Sequence, residues 1–168
     1  MPRSQGIEIE LYCSIKIMKL SIISASSNIL TCEKFEKIII MTESGEITIL
    51  PGHEPLLSAV RPGILSVEYY LGNKIHTAEY ATGGGILNIS PSECLILADV
   101  IEAGESLVDL DYIESQKKEA AQLVASYREE NGTTIDPRRL IDLENQLLKF
   151  TAMHELGKKS HVSHGGRH

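Results

Sequence analysis

An α+β fold is predicted: an N-terminal antiparallel β-sandwich followed by a C-terminal antiparallel two-helix hairpin. Three observations carry it. Up to residue 102, short apolar runs alternate with Pro, Gly, Asn and Ser turn clusters, the pattern of a sandwich or barrel. At Glu102-Ala103-Gly104-Glu105 the apolar period changes from two to about 3.6. Two helix-period segments of similar length then follow, separated by a short loop, which makes neighbouring antiparallel helices.

The elements follow in order. Residues 1–17 form an extension whose stretch Ile7-Glu8-Ile9-Glu10-Leu11-Tyr12 alternates like a strand. The sandwich is placed at 18–102, with strands at 20–24, within 33–41, and at 46–50 and 56–60. Further strands fall near 63–71, 74–81, 85–90 and 93–99. Pro51-Gly52 and Pro62-Gly63 interrupt pairing, because proline lacks an amide hydrogen and glycine accepts positive φ. Leu71-Gly72-Asn73-Lys74 and Ser90-Pro91-Ser92-Glu93 have hairpin-turn chemistry.

The hairpin is placed at 106–157. Leu110, Ile113, Ala120, Val124 and Tyr127 form the stripe of its first helix, interrupted by Lys117. Asn131-Gly132 stops that helix. Asp136-Pro137 starts the second, with aspartate as cap and proline in the first turn. Leu140, Leu143, Leu147, Phe150 and His154 are its stripe, and Gly157 is read as its end. Residues 158–168 read as a mobile tail.

Composition narrows the function classes. The 168 residues are 42% hydrophobic and carry a net charge of −7, which disfavours nucleic acid as a partner. Cys13, Cys32 and Cys94 show neither zinc-site nor disulfide spacing. No apolar run reaches the roughly 20 residues that span a bilayer, so direct membrane insertion is not expected. Glu8, Glu10, Lys16 and Lys19 break the N-terminal apolar stretch, unlike a signal peptide.

Candidate chemical sites are weak. His53-Glu54 lacks the second histidine of the zincin motif, and Pro55 opposes the helix that motif needs. Gly83-Gly84-Gly85 leads into a strand, not a phosphate-binding helix, so it reads as a close backbone approach. His161, His164 and His168 lie in a polar segment without support for a metal. No serine or cysteine stands in an activating motif. An enzyme is not expected, nor a metal or cofactor.

Three strings then carry a family resemblance. They are Leu50-Pro51-Gly52-His53-Glu54-Pro55-Leu56-Leu57 with Pro62-Gly63-Ile64-Leu65, then Tyr80-Ala81-Thr82-Gly83-Gly84-Gly85-Ile86-Leu87, then Leu95-Ile96-Leu97-Ala98-Asp99. In this order and spacing, from about 18 to 159, the chain resembles the epsilon subunit of F-type ATP synthases. The resemblance implies a non-catalytic subunit of the central rotor stalk, coupling c-ring rotation to the catalytic head. It implies gamma and the c-ring as partners of the sandwich. It implies a hairpin that folds down on the sandwich, or rises along gamma to meet the alpha/beta head and restrain ATP hydrolysis. It implies a peripheral place on the cytoplasmic face of a bacterial inner membrane.

Interface residues follow from the same resemblance: Glu43, Ser44, Gly45 and Glu46 in a polar turn toward the c-ring, His53 in the first string, and Arg138, Arg139 and Lys149 on the second helix. Some members bind ATP through Ile/Leu-Asp-x-x-Arg-Ala at the first helix, and a nucleotide-sensing module is therefore the alternative reading. Here the string is Leu110-Asp111-Tyr112-Ile113-Glu114-Ser115. Glu114 replaces the arginine, so attraction for a triphosphate becomes repulsion.

Overall fold

The computed structural model describes residues 17–132 and 134–164. The alternating stretch 7–12, Cys13 and His168 lie outside the described residues. The strands are β1 (Lys19–Ser24), β2 (Asn28–Cys32), β3 (Phe35–Thr42), β4 (Gly45–Ile49), β5 (Leu56–Val60), β6 (Gly63–Leu71), β7 (Lys74–Thr82), β8 (Gly85–Ile89), β9 (Glu93–Ala98) and β10 (Ile101–Ala103). A 3-10 turn at Gly104–Ser106 leads to α1 (Leu110–Asn131) and α2 (Pro137–His164).

The strands form one hydrogen-bonded path in the order β10-β7-β6-β3-β5-β8-β9-β1-β2, with β4 added to β3. The path folds over at Thr42 opposite Val60. The Glu43 and Arg61 amides secure this corner by donating to the Ala59 and Met41 carbonyls. Two halves thereby face each other. Leu20, Ile22, Leu87, Ile89 and Ile96 from one half meet Phe35, Ile38, Ile40, Leu65 and Val67 from the other in a single core. Each such side chain contributes roughly 1.5–3 kcal/mol on full burial. This is the expected β-sandwich followed by two helices.

Two details depart from the sequence reading. β1 pairs with β9 in parallel, Leu20 opposite Cys94, so the sandwich is not wholly antiparallel. No short turn joins these strands; nearly the whole sandwich serves as their crossover, which is the length a parallel pair demands. The sequence reading also passed over the short strands β2 and β10. β2 is a five-residue strand, reached through a serine turn in which the Ser24 hydroxyl accepts from the Ser27 amide at 3.2 Å.

Gly83-Gly84-Gly85 is the close approach that was expected. A Cβ on Gly85 would fall on the Leu97 carbonyl oxygen and within 2.7 Å of the Ala98 Cα.

Both helices start at aspartate caps. Tyr112 N–H donates to Asp109 Oδ1 at 2.9 Å, and Arg138 N–H donates to Asp136 Oδ1 at 3.0 Å. α1 stops at Gly132, whose φ of 46° belongs to the left-handed region. Ile113, Ala120 and Val124 of α1 are buried, as are Leu143, Ala152, His154 and Leu156 of α2. Arg128 Nη2 joins the helices by an ion pair to Glu144 Oε1 at 2.6 Å. A second apolar cluster, Ala81, Leu107, Ile113, Ala152 and Leu156, with Ile64 beside it, seats α2 on the outer face of β6 and β7.

The end of α2 corrects the sequence reading. The helix passes through Gly157 and continues to His164, so residues 158–164 are not tail. Gly157 is buried, and a Cβ there would overlap Leu110 Cδ2. The glycine is there for proximity to the neighbouring chain, and its φ stays helical rather than left-handed. Lys159 consequently reaches the sandwich, with Nζ 3.6 Å from Glu79 Oε1.

Gly85→Ala is expected to destabilise the chain by about 1–3 kcal/mol, as overpacking against backbone does. The urea unfolding midpoint, read with an unchanged m-value, measures it. A midpoint equal to the parent's would show that the corner relaxes freely.

Candidate functional site

The candidate residues fall in three places. Glu43 and Ser44 form the tip of the β3–β4 hairpin, followed by Gly45 at a φ of 108°. Thr42 shapes this tip. Its hydroxyl donates to the Gly45 carbonyl at 2.8 Å and accepts from the Ser44 amide at 3.2 Å. Glu43, Ser44 and Glu46 are exposed. Glu43 also borders a crevice shared with Arg61 of the sandwich and Ile141, Glu144 and Asn145 of α2.

His53 stands apart from that tip, in the turn between β4 and β5. Its amide donates to the Leu50 carbonyl at 3.0 Å, and its Nδ1 lies 2.7 Å from the Glu54 carbonyl oxygen. Both bonds are local, as a turn histidine requires.

The three basic candidates on α2 lie near its start and middle. Arg138 is exposed in the first turn. Arg139 and Lys149 border a crevice of about 460 Å³ between the hairpin and the sandwich, opposite Asp99 and next to Asp142. Lys149 Nζ also sits 5.1 Å from the Phe150 ring centroid. These cations share their surroundings with carboxylates, so the crevice has no single sign of charge.

The start of α1 is acidic. Asp109 and Asp111 are exposed, and Glu114 follows one turn on. The Lys118 hydrogen bond holds the Glu114 carboxyl below the usual carboxylate range, with Nζ 3.0 Å from Oε1. The buried His154 ring lies 3.9 Å from Glu114 Oε2. Glu114 is thus an ionised carboxylate at neutral pH.

The thiols are quiet. Burial pushes the Cys94 thiol up to about 12 and raises that of Cys32 as well. Neither supplies a thiolate near pH 7. His161, one of the three histidines weighed as metal ligands, lies in α2 with Nε2 3.3 Å from the Leu107 carbonyl oxygen.

One surface was not anticipated. Ala59, Ile86, Leu97 and Ile23 are cross-strand partners in one row over β5, β8, β9 and β1. They point away from the core, because their neighbours Val60, Leu87, Ile96 and Ile22 point into it. Leu57 and Leu95 flank the row. Leu57 is 73% exposed, Ile86 50% and Leu97 40%. The hairpin covers β6 and β7 and leaves this face open. Its signal in the sequence was Leu95-Ile96-Leu97, where a half-buried strand would alternate with polar residues. Among the described residues no helix is long and apolar enough to cross a membrane.

Comparison with known proteins completes the description. The family model of the ATP synthase delta/epsilon chain β-sandwich domain matches residues 17–104. ATP synthase epsilon chains from two strains of Desulfitobacterium hafniense are each 37% identical over 101 residues, spanning 60% of this chain and 72% of theirs. A chain in the cryo-EM structure of the Euglena gracilis mitochondrial ATP synthase, OSCP/F1/c-ring in rotational state 1, superposes with a TM-score of 0.59 at 21% identity. That match covers 96% of this chain and 89% of that one, a likeness of fold. On the sandwich match and on these relatives, the chain belongs to the delta/epsilon family of ATP synthase chains, and within it to the epsilon subunits.

Proposed function

We propose that this chain is a non-catalytic part of the rotor stalk of a proton-translocating F-type ATP synthase, held on gamma by the open face of its sandwich. The observation that carries the proposal is the apolar row Ala59–Ile86–Leu97–Ile23. An exposed row of this kind, on the side that the hairpin leaves free, suits a permanent partner that covers it. The sandwich is closed by a continuous strand path and one core, so it passes torque on as a stiff body. Gamma supplies the rigid shaft, and the c-ring supplies the rotation. The place of work is then peripheral, on the cytoplasmic face of a bacterial inner membrane.

The remaining candidate residues take their roles from this frame. The exposed tip Glu43-Ser44-Gly45-Glu46 meets the polar loops of the c-ring. His53 holds the β4–β5 turn in shape. Arg138, Arg139 and Lys149 meet acidic loops of the alpha/beta head when the hairpin rises. Because Asp142 and Glu144 lie on the same helix, that contact is weak and salt-sensitive.

Leu97→Glu is expected to weaken binding to gamma at least tenfold, about 1.4 kcal/mol, while the core stays intact because the residue points outward. Titration of purified gamma, with circular dichroism as the folding control, reads it. Unchanged affinity would remove the open face from the interface.

Ser44→Cys is expected to form an oxidative crosslink with a cysteine placed in a c-subunit loop of the reconstituted complex. Crosslinks to alpha or beta alone would place the tip elsewhere.

The nucleotide-sensing alternative meets three carboxylates where a triphosphate needs cations: Asp109, Asp111 and Glu114. Calorimetric titration of the isolated chain is expected to show no saturation at micromolar ATP. Saturable micromolar binding would revive that alternative.

A further inference from the structure

Crevices lie between the hairpin and the sandwich at both ends of α2. Toward the interhelical loop a crevice of about 460 Å³ separates α2 from Pro62, Gly84 and Asp99. Asn145 Oδ1 is buried beside it and has no hydrogen-bond partner among the described residues. At the opposite end a crevice of about 540 Å³ opens between the end of α2 and β7, and beside it α2 closes on the segment between β10 and α1. A Cβ on Gly157 would overlap Leu110 Cδ2 and lie 3.3 Å from Leu107 Cβ. A Cβ on Gly104 would lie 3.1 Å from Ser160 Cβ and 3.2 Å from Leu156 Cγ. His161 Nε2 lies 3.3 Å from the Leu107 carbonyl oxygen, and Lys159 Nζ 3.6 Å from Glu79 Oε1.

These contacts share one location. Gly104 and Leu107 lie on the short tether between β10 and α1, and Leu110 is the first residue of α1. The last turns of α2 therefore grip the segment from which the whole hairpin hangs. We propose that this grip is a clasp: glycines 104 and 157 let α2 close on the tether, and release of the hairpin begins there.

The physical argument has two parts. First, glycine inside a helix is less favourable than alanine, so at 157 a compensating contact is required. The close passage over Leu107, whose Cβ would lie 3.3 Å from a Cβ at 157, supplies it through dispersion contacts, with the end of the Leu110 side chain filling the same space. Second, a hairpin turning about its tether must separate α2 from that tether before anything else moves. The exposed Lys159–Glu79 pair adds little, as surface pairs do. The proposal takes from the functional reading above only that the hairpin is the part that moves. Its test uses the isolated full chain, so failure here leaves docking on gamma untouched.

Amide hydrogen exchange followed by mass spectrometry tests it. Gly157→Leu is expected to speed exchange over 101–110 and 150–162 at least tenfold, while β8 and β9 keep the parent's rates. Gly157→Ala is expected to speed the same segments several-fold, although alanine is the better helix former. Lys159→Ala is expected to change them by less than about threefold. The clasp is overturned if Gly157→Ala exchanges as slowly as the parent or more slowly. It is also overturned if Lys159→Ala matches Gly157→Leu, which would make the hold ionic. Should Gly157→Leu also loosen β8 and β9, the alanine variant alone decides.

Discussion

The sandwich depends on two chain crossings that run against each other at one corner. Gly83-Gly84 carries the chain from β7 in one half to β8 in the other, and Asp99-Val100 carries it back from β9 to β10. The crossings bond to each other: the Gly83 amide to the Val100 carbonyl at 2.9 Å, and the Asp99 amide to the Gly84 carbonyl at 3.0 Å. A Cβ on Gly83 would fall on the Asp99 carboxylate, and one on Gly85 on the Leu97 carbonyl. Without that proximity the halves would not face each other at the spacing their side chains fill. The outer row would lose its register, and α2 would lose the β6–β7 surface on which it rests.

Much of this was legible, because short strands, turn chemistry and helix caps are local. Asp136-Pro137 and Gly132 act within a few residues of themselves, and each capped or stopped its helix as expected. Gly157 was misread for the same reason. A glycine that ends a helix and one that lets two segments touch look alike in sequence, and only the contact with Leu107 and Leu110 tells them apart. The parallel pairing of β1 with β9 escaped similarly, since no local signal links Leu20 to Cys94.

The proposed docking surface was less legible than the fold. Catalytic sites announce themselves through titratable groups at fixed spacing, whereas docking surfaces consist of ordinary residues brought together by register. Ala59, Ile86, Leu97 and Ile23 come from four strands and form no motif along the chain. The resemblance instead pointed to turn and helix residues. These are scattered over the tip of β3–β4, the β4–β5 turn and α2, with Arg139 and Lys149 facing Asp99 across a crevice. Each was assigned by its position along the chain, which carries no information about what surrounds it.

The pairing of β1 with β9 also governs how the molecule comes into being. Ser21 and the Glu93 carboxylate it bonds are 72 residues apart in sequence. During synthesis β1 and β2 emerge first and then wait, one long edge unpaired, until β9 has left the ribosome. Contacts of such sequence separation slow folding and leave apolar strands open to wrong partners meanwhile. The nascent chain is therefore most vulnerable to aggregation before residue 98 is made. Substitutions that make β1 more apolar on its outer face would be felt first as lower yield of folded protein, before any change in the rotor.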